Sequence, residues 1–243
     1  MNESEKKIDA KLIFSIIAAG IMSFSGVVVE TAMNVTFPTL MEEFSIGTST
    51  VQWITTGYLL ILAMIIPASS YLKKRFTLKK LFVTAICLFL VGTIMAAVTP
   101  VFSLLLLGRL IQGVGTGIAL PLMFNIVLEQ VPAKKLGLMM GIASLITAMA
   151  PAVGPSVGGM LVSNFGWRMI FISLIPLLLL SFFLGVFSIR QVTATEKFLS
   201  SGWTTSFWLQ ASPALSLPPV QLPKQAGSAF RCWDFWQPAL SVL

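Results

Sequence analysis

Six long stretches without a charged side chain constrain the fold of this chain more than any other feature. They cover residues 12–29, 44–72, 81–108, 110–128, 136–167 and 169–189. A helix needs roughly 20 apolar residues to cross about 30 Å of hydrocarbon, and only closed structures such as helices satisfy the backbone there. The sequence therefore predicts an all-α membrane protein with six spanning helices, near residues 12–37, 50–72, 80–99, 102–127, 136–162 and 168–189.

The composition excludes several functional classes. The chain is 56% hydrophobic and only 10% charged, with a mean hydropathy of +0.90, whereas about 25% of the residues in a soluble domain are charged. The chain has no histidine, which excludes histidine-based metal sites and Ser-His catalysis. We expect no enzymatic activity, no catalytic residue, no metal site and no nucleic-acid partner.

Lysine and arginine residues flank the predicted helices mostly on one side. That side carries Lys6, Lys7, Lys11, Lys73, Lys74, Arg75, Lys79, Lys80, Lys134, Lys135, Arg190 and Lys197. The other side has Arg168, together with Glu42 and Glu43. The positive-inside rule then predicts a multi-pass membrane protein with residues 1–11 as a cytoplasmic N-terminus, on the same side as the loops between the second and third and the fourth and fifth spans.

The sequence changes character after about residue 199. All 12 methionines and all isoleucines precede residue 200, whereas four of the six tryptophans follow it. Several prolines in this region also break any helical span. We expect residues 191–243 to be an aberrant tail, and two interpretations remain open: a disordered or surface-lying C-terminus, or translation out of frame from about residue 199.

Two charged residues lie inside the predicted spans, Glu30 in the first helix and Arg109 in the fourth. Counted from Pro38 and Pro100 at 1.5 Å per residue, both lie roughly 12–14 Å from the same end of their helices. Charges at such a depth are costly and usually functional. Glu30 could bind a proton or a cation while Arg109 tunes its pKa. The structural alternative is a static ion pair that holds the two helices together.

The fifth predicted helix combines small residues with two prolines. Ala150, Gly154 and Gly158 recur at a spacing of four, which lets a neighbouring backbone approach closely. Pro151 and Pro155 each remove a backbone donor and bend the helix. The pattern predicts a kinked, tightly packed helix that is suited to a moving contact, although packing alone would explain the glycines about as well.

These motifs together resemble the N-terminal half of a major facilitator superfamily transporter, and in particular the 14-helix drug:proton antiporter group with its multidrug and lincomycin-type exporters. The proton-coupling and substrate positions match at Glu30, Asn34, Arg109 and Gln112. The antiporter motif matches at Pro151, Gly154, Pro155, Gly158 and Gly159. The basic loop motif is carried by Lys74, Arg75, Lys79 and Lys80, with Lys74 where the family usually has an acid.

The resemblance covers about residues 12–190 and implies two inverted three-helix repeats. It implies export of lipophilic, often cationic drugs across the bacterial plasma membrane in exchange for protons, with the proton gradient as the energy source and no cofactor. Because the second half is absent, Glu30, Asn34 and Arg109 are expected to face the missing half, toward lipid or water.

Three functions remain open at this level. The chain could be the N-terminal half of a multidrug exporter and inactive alone, which we expect because alternating access needs both halves. It could instead be a non-functional truncated membrane product, or a dimerising half-carrier for a small solute. The expected partners are the lipid bilayer, lipophilic small molecules, protons, and either a second copy or a complementing C-terminal half.

Overall fold

The computed structural model describes residues 9–189, which form a bundle of α-helices without a strand. The helices are α1 (Ala10–Val35), α2 (Phe37–Phe44), α3 (Thr48–Val51), α4 (Trp53–Arg75), α5 (Leu78–Val98), α6 (Phe102–Gln130), α7 (Ala133–Phe165) and α8 (Arg168–Ser188). Within residues 9–189, six segments are long and apolar enough to cross a membrane: α1, α3 with α4, α5, α6, α7 and α8. The predicted all-α fold with six spans is therefore confirmed. The predicted tail, 191–243, and residues 1–8 lie outside the described residues.

The short helices α2 and α3 are not predicted by the pattern of uncharged stretches. α1 ends at Val35, two residues earlier than expected, and the hydroxyl of Thr36 donates to the Met33 carbonyl oxygen at 2.7 Å. Pro38 then occupies the first turn of α2, where its missing N–H would have no partner in any case. α2 ends at Phe44, and its C-cap residue Ser45 has a left-handed φ of 52°. A turn thus separates the first span from a short helix outside it.

Consecutive spans run in opposite directions, so the bundle has two chemically different ends. One end, here called the α2 end, carries α2 and the connections from α5 to α6 and from α7 to α8. The other end, here called the basic end, carries the start of α1 and the connections from α4 to α5 and from α6 to α7. All seven described lysines belong to the basic end.

Glycines allow α5 and α6 to pack closely. A Cβ atom at Gly92 would lie 2.5 Å from the Gly108 carbonyl oxygen, and one at Gly115 would lie 2.7 Å from the Ala85 carbonyl oxygen. Both neighbours are backbone atoms, which cannot rotate away. Small residues at such positions let spanning helices approach closely, so α6 can lie in the middle of the bundle against α1, α4 and α5.

The six spans differ widely in how far the bundle covers them. In their most apolar windows, 67% of the residues of α1 and 61% of those of α6 are buried, against 11% for α7. Leu145, Met149 and Met160 on α7 are all more than half exposed, and Leu60 on α4 is 49% exposed. α1 and α6 therefore form the interior, while α4 and α7 leave apolar surface without a protein partner in the described part of the chain.

Candidate functional site

Arg109 lies within α6 and its side chain is fully buried. Its Nη1 donates a hydrogen bond to Gln112 Oε1 at 2.9 Å, and its guanidinium carbon lies 4.3 Å from the centre of the Tyr58 ring. Its Nε and Nη2 find no hydrogen-bond partner among the described residues. A buried charge is costly unless it is paired or fully hydrogen-bonded. This guanidinium is therefore the strongest candidate for a functional group in the bundle.

Buried polar side chains from three helices surround Arg109. Together with it they form what we call the Arg109 network: Arg109, Gln112, Tyr58, Thr93 and Thr116. Gln112 Nε2 donates to Thr93 Oγ1 at 2.8 Å, which ties α6 to α5. The Tyr58 hydroxyl lies 2.8 Å from Thr116 Oγ1, which ties α4 to α6. All five side chains have 0% exposure, so these hydrogen bonds form away from solvent, where an unmade bond is expensive.

Glu30 and Asn34 lie one turn apart on α1, near the Arg109 network. Glu30 is partly buried and Asn34 is exposed. The hydroxyl of Thr55 on α4 donates to Asn34 Oδ1 at 3.0 Å. The charges of Glu30 and Arg109 are near enough to interact. Within residues 9–189, however, their side chains form no ion pair within 4.0 Å, so the static ion pair is not the arrangement of this structure.

The expectation that Glu30, Asn34 and Arg109 all face a missing half is wrong for Arg109. Its side chain is enclosed within the six helices, as is that of Gln112. The physical reason is that the guanidinium packs on the Tyr58 ring of α4 and donates a hydrogen bond to Gln112, which Thr93 of α5 in turn holds in place. Glu30 and Asn34 keep access to the surface.

The glycines of α7 contact α1 beside Glu30. A Cβ atom at Gly158 would lie 2.8 Å from Ala32 Cβ and 3.0 Å from Ala32 Cα. One at Gly154 would collide with Thr31 Oγ1 and lie 3.0 Å from a backbone carbonyl oxygen of α1. The two glycines therefore set the distance between α7 and the turn of α1 that carries Glu30.

The other members of the predicted antiporter motif do not take part in this contact. Gly159 is further from α1, since a Cβ atom there would lie 3.9 Å from Val35 Cγ1, an ordinary van der Waals distance. Pro151 and Pro155 are inside α7 and exposed. The structure thus divides the motif into a packed glycine face and an exposed proline face.

At the basic end, one charge pair joins α4 to α6. Lys73 Nζ lies 2.5 Å from Glu129 Oε1 and donates to Asn125 Oδ1 at 3.1 Å. Sequence reasoning did not identify this contact, because it assigned the loop motif to the four basic residues that follow Lys73. Those four side chains are exposed: Lys74, Arg75, Lys79 and Lys80.

At the α2 end, Glu43 joins three segments that are distant in sequence. Its carboxylate accepts hydrogen bonds from Trp167 Nε1 at 2.6 Å and from Arg168 Nη1 at 2.7 Å, and Arg168 Nη2 donates to the Thr99 carbonyl oxygen at 3.0 Å. Burial tends to raise the pKa of Glu43, but the hydrogen bonds from Trp167 and Arg168 and the charge of Arg168 outweigh it. The pKa therefore lies below its ordinary value.

Sequence reasoning also missed three members of the Arg109 network: Tyr58, Thr93 and Thr116. A signal for two of them was available. Thr116 follows Gln112 by four residues, which places both on one face of a helix, and Tyr58 is one of only two tyrosines in the chain. Neither signal says which neighbouring helix the side chain meets, so the network could not be assembled from the sequence.

Comparison with known proteins places this geometry among membrane transporters. The family model described as Major Facilitator Superfamily matches residues 16–239, which extends past residue 190, where the sequence motifs end. The lincomycin resistance protein LmrB of Listeria monocytogenes serovar 1/2a is 41% identical over 183 residues, which are 75% of this chain and 39% of that protein. The protein of the same name from Bacillus subtilis is 40% identical over 186 residues, 76% of this chain and 38% of that protein.

A more distant relative is the multidrug resistance protein B homolog of Mycobacterium tuberculosis, which is 33% identical over 194 residues, 76% of this chain and 36% of that protein. The chain thus spans about two-fifths of the length of the curated relatives it matches. Among solved structures, a bacterial homologue of the human lysosomal transporter Spinster has a TM-score of 0.62 at 16% identity, over 96% of this chain and 50% of that one. A D-xylose–proton symporter has a TM-score of 0.61 at 14% identity, over 95% and 56%.

Proposed function

The chain belongs to the Major Facilitator Superfamily, and from this premise we propose that it is the N-terminal half of an exporter that exchanges lipophilic drugs for protons. Its relatives include proteins named for lincomycin resistance and multidrug resistance. The observation that carries the proposal is the fully buried guanidinium of Arg109, within electrostatic reach of the accessible carboxyl group of Glu30. Ionisable groups inside a membrane bundle usually mark ion or substrate pathways.

In this proposal Glu30 is the group that exchanges its ligand. Its carboxyl group is only partly buried, so a proton or a cationic drug can reach it from the surface of the bundle. A protonated carboxyl group no longer attracts a cation, so the two ligands compete, and this competition couples their movement. Arg109 supplies a positive charge that Gln112 holds in place. Asn34, one turn from Glu30, and its partner Thr55 add hydrogen-bonding groups for the drug.

The glycine face of α7 links the position of this helix to that of Glu30. Gly154 and Gly158 lie against Thr31 and Ala32, the two residues that follow Glu30. A shift of α7 therefore acts on the turn of α1 that carries the carboxyl group. Contact through small residues allows such a shift without large side chains interlocking.

The proposed transporter needs a second half. Alternating access in this type of fold moves two repeats or bundles around a site between them, and the chain offers one bundle with apolar surface exposed on α4 and α7. We propose that a C-terminal half covers these faces and that the chain alone does not export drugs. A second copy of the chain on the same faces would give the dimerising half-carrier, and a chain without any partner would be a non-functional product.

The proposed setting follows from the charge distribution. The basic end would lie in the cytoplasm of a bacterial cell and the α2 end outside, because cytoplasmic loops carry the excess of lysine and arginine. Transport would be driven by the proton gradient, with no cofactor and no covalent chemistry.

Export by reconstituted halves tests the proposal. The full chain would be expressed in a drug-sensitive bacterium either alone or with the part of the Listeria relative that the chain does not match. We expect tolerance to lipophilic drugs and pH-gradient-driven efflux of a fluorescent substrate only when both parts are present. Gly141→Ala, on α7 but outside the antiporter motif, should leave this efflux unchanged as a control, because a Cβ atom there would meet no atom within 4 Å.

Two results would contradict the proposal. Efflux by the chain alone that disappears in Arg109→Ala would favour a homodimer of halves. Absence of efflux when both parts are present in the membrane would count against an exporter half and favour the non-functional product.

A further inference from the structure

Tyr58 has a set of contacts that the proposed function does not use. We infer that Tyr58 is a positioning residue. Its ring packs against the guanidinium of Arg109, and its hydroxyl group forms a hydrogen bond with the turn of α1 that precedes Glu30. The inference rests on the proposed function, in which Glu30 and Arg109 act together. It assigns to Tyr58 the physical connection between them.

The aromatic ring of Tyr58 lies against the guanidinium of Arg109. The Arg109 guanidinium carbon lies 4.3 Å from the centre of the Tyr58 ring, and both side chains have 0% exposure. A cation held over an aromatic face is attracted more strongly when the contact is shielded from water. Gln112 satisfies only Nη1 of the guanidinium. The Tyr58 face is therefore a main determinant of where the rest of this charge lies.

The hydroxyl group of Tyr58 contacts the backbone of α1. It donates a hydrogen bond to the carbonyl oxygen of Gly26 at 3.0 Å. In an α-helix the carbonyl oxygen of residue 26 is also the acceptor for the N–H group of residue 30. Tyr58 thus binds the same oxygen that holds the backbone of Glu30, so a movement of this helical turn is transmitted to the ring.

Because Gly26 has no side chain, Thr116 of α6 has room beside α1 at this level. A Cβ atom there would lie 2.5 Å from Thr116 Cγ2 and 2.6 Å from Thr116 Oγ1. That threonine oxygen lies 2.8 Å from the Tyr58 hydroxyl group. α1 and α6 therefore meet closely at this level, and the hydroxyl group of α4 bridges them.

The connection can be tested on the chain as it is, without transport. The full chain would be placed in phospholipid vesicles, and the rate at which a hydrophobic carbodiimide modifies Glu30 would be measured by mass spectrometry at fixed pH. This rate reports the electrostatic surroundings of the carboxyl group. The variants are Tyr58→Leu, Tyr58→Phe, Arg109→Gln and Tyr58→Leu with Arg109→Gln. Tyr71→Leu is the matched control, because it alters the only other tyrosine, on the same helix and 44% exposed.

The inference predicts that Tyr58→Leu and Arg109→Gln change the rate in the same direction, each by about three-fold or more, a factor that a cation–π contact of ordinary strength can supply. The double variant should change it no more than the larger single change, because both substitutions remove one connection. Tyr71→Leu should leave the rate unaltered. A Tyr58→Leu rate equal to that of the unmodified chain, or effects that multiply in the double variant, would overturn the inference.

If the Tyr58→Leu chain does not insert into the membrane, two milder variants test the same connection. Tyr58→Phe keeps the ring and removes the bond to Gly26, and should shift the rate in the same direction but by less than Arg109→Gln does. Thr116→Val combined with Tyr58→Phe should add nothing further. A Tyr58→Phe rate identical to that of the unmodified chain would exclude the role of the hydroxyl group. Since no drug is involved, failure of the export assay would leave these rates as they are, so the two proposals fail separately.

Discussion

Replacing Gly158 by alanine should weaken the bundle, whereas the same change at the next residue should not. The added Cβ atom at Gly158 would lie 2.8 Å from Ala32 Cβ, 3.0 Å from Ala32 Cα and 3.3 Å from its carbonyl oxygen. Two of these three atoms are backbone, so α1 and α7 must separate to make room. At Gly159 the nearest atom is Val35 Cγ1, at 3.9 Å.

The matched pair isolates the cost of this separation. Glycine-to-alanine substitution inside a helix contributes about 1 kcal/mol of helix propensity, and it does so in both variants. Overpacking costs about 1–3 kcal/mol in a well-packed interior. The propensity term cancels when the two variants are compared, so Gly158→Ala should be less stable than Gly159→Ala by about 1–3 kcal/mol.

Unfolding of the full chain in mixed micelles, followed by far-ultraviolet circular dichroism, measures this difference. The two variants contain the same atoms, so their signals are directly comparable. Equal free energies of unfolding would refute the reasoning, because they would mean that α7 does not lie against α1 as described.

Two further predictions concern the two ends of the bundle. Because the pKa of folded Glu43 lies below its ordinary 4.5, its contacts with Trp167 and Arg168 should stabilise the chain above that pH, and the stability should fall as the pH drops through the lowered value. Glu43→Gln should remove this acid-dependent loss from a pH series of thermal midpoints, and an unchanged series would exclude the contact. At the basic end, Lys73→Glu should cost on the order of 1 kcal/mol of stability, and adding Glu129→Lys should recover part of it. No recovery in the exchanged pair would show that attraction between these charges does not hold α4 to α6.

The spans could be predicted because lipid imposes one simple requirement on sequence. A spanning helix must avoid charge for about 20 residues, and this pattern is local. The connector α2 escaped prediction because its boundaries depend on Thr36 and on the left-handed backbone of Ser45. Neither residue interrupts an apolar stretch in a way that marks a helix end.

The candidate site could be predicted only in part. A charge inside an apolar stretch is visible in the sequence, so Glu30 and Arg109 were identified. Whether such a charge faces a neighbouring helix depends on helix rotation, and the expected exposure of Arg109 was therefore wrong. Arg109 contacts Tyr58 of α4 and Gln112 of α6, and Gln112 in turn bonds to Thr93 of α5. Contacts such as Tyr58 with Gly26 join residues far apart in sequence, and no periodicity within one helix encodes them.

The most direct test of the proposed account is whether drug binding moves protons through the site. Vesicles would contain the full chain together with the part of the Listeria relative that it does not match, and a pH-sensitive dye would record proton movement when a lipophilic cationic drug is added on one side. The account predicts drug-driven proton movement that is abolished by Arg109→Ala and by Glu30→Leu while both parts remain in the membrane. It also predicts none from the chain alone. Proton movement at an unchanged rate in either variant would contradict the account.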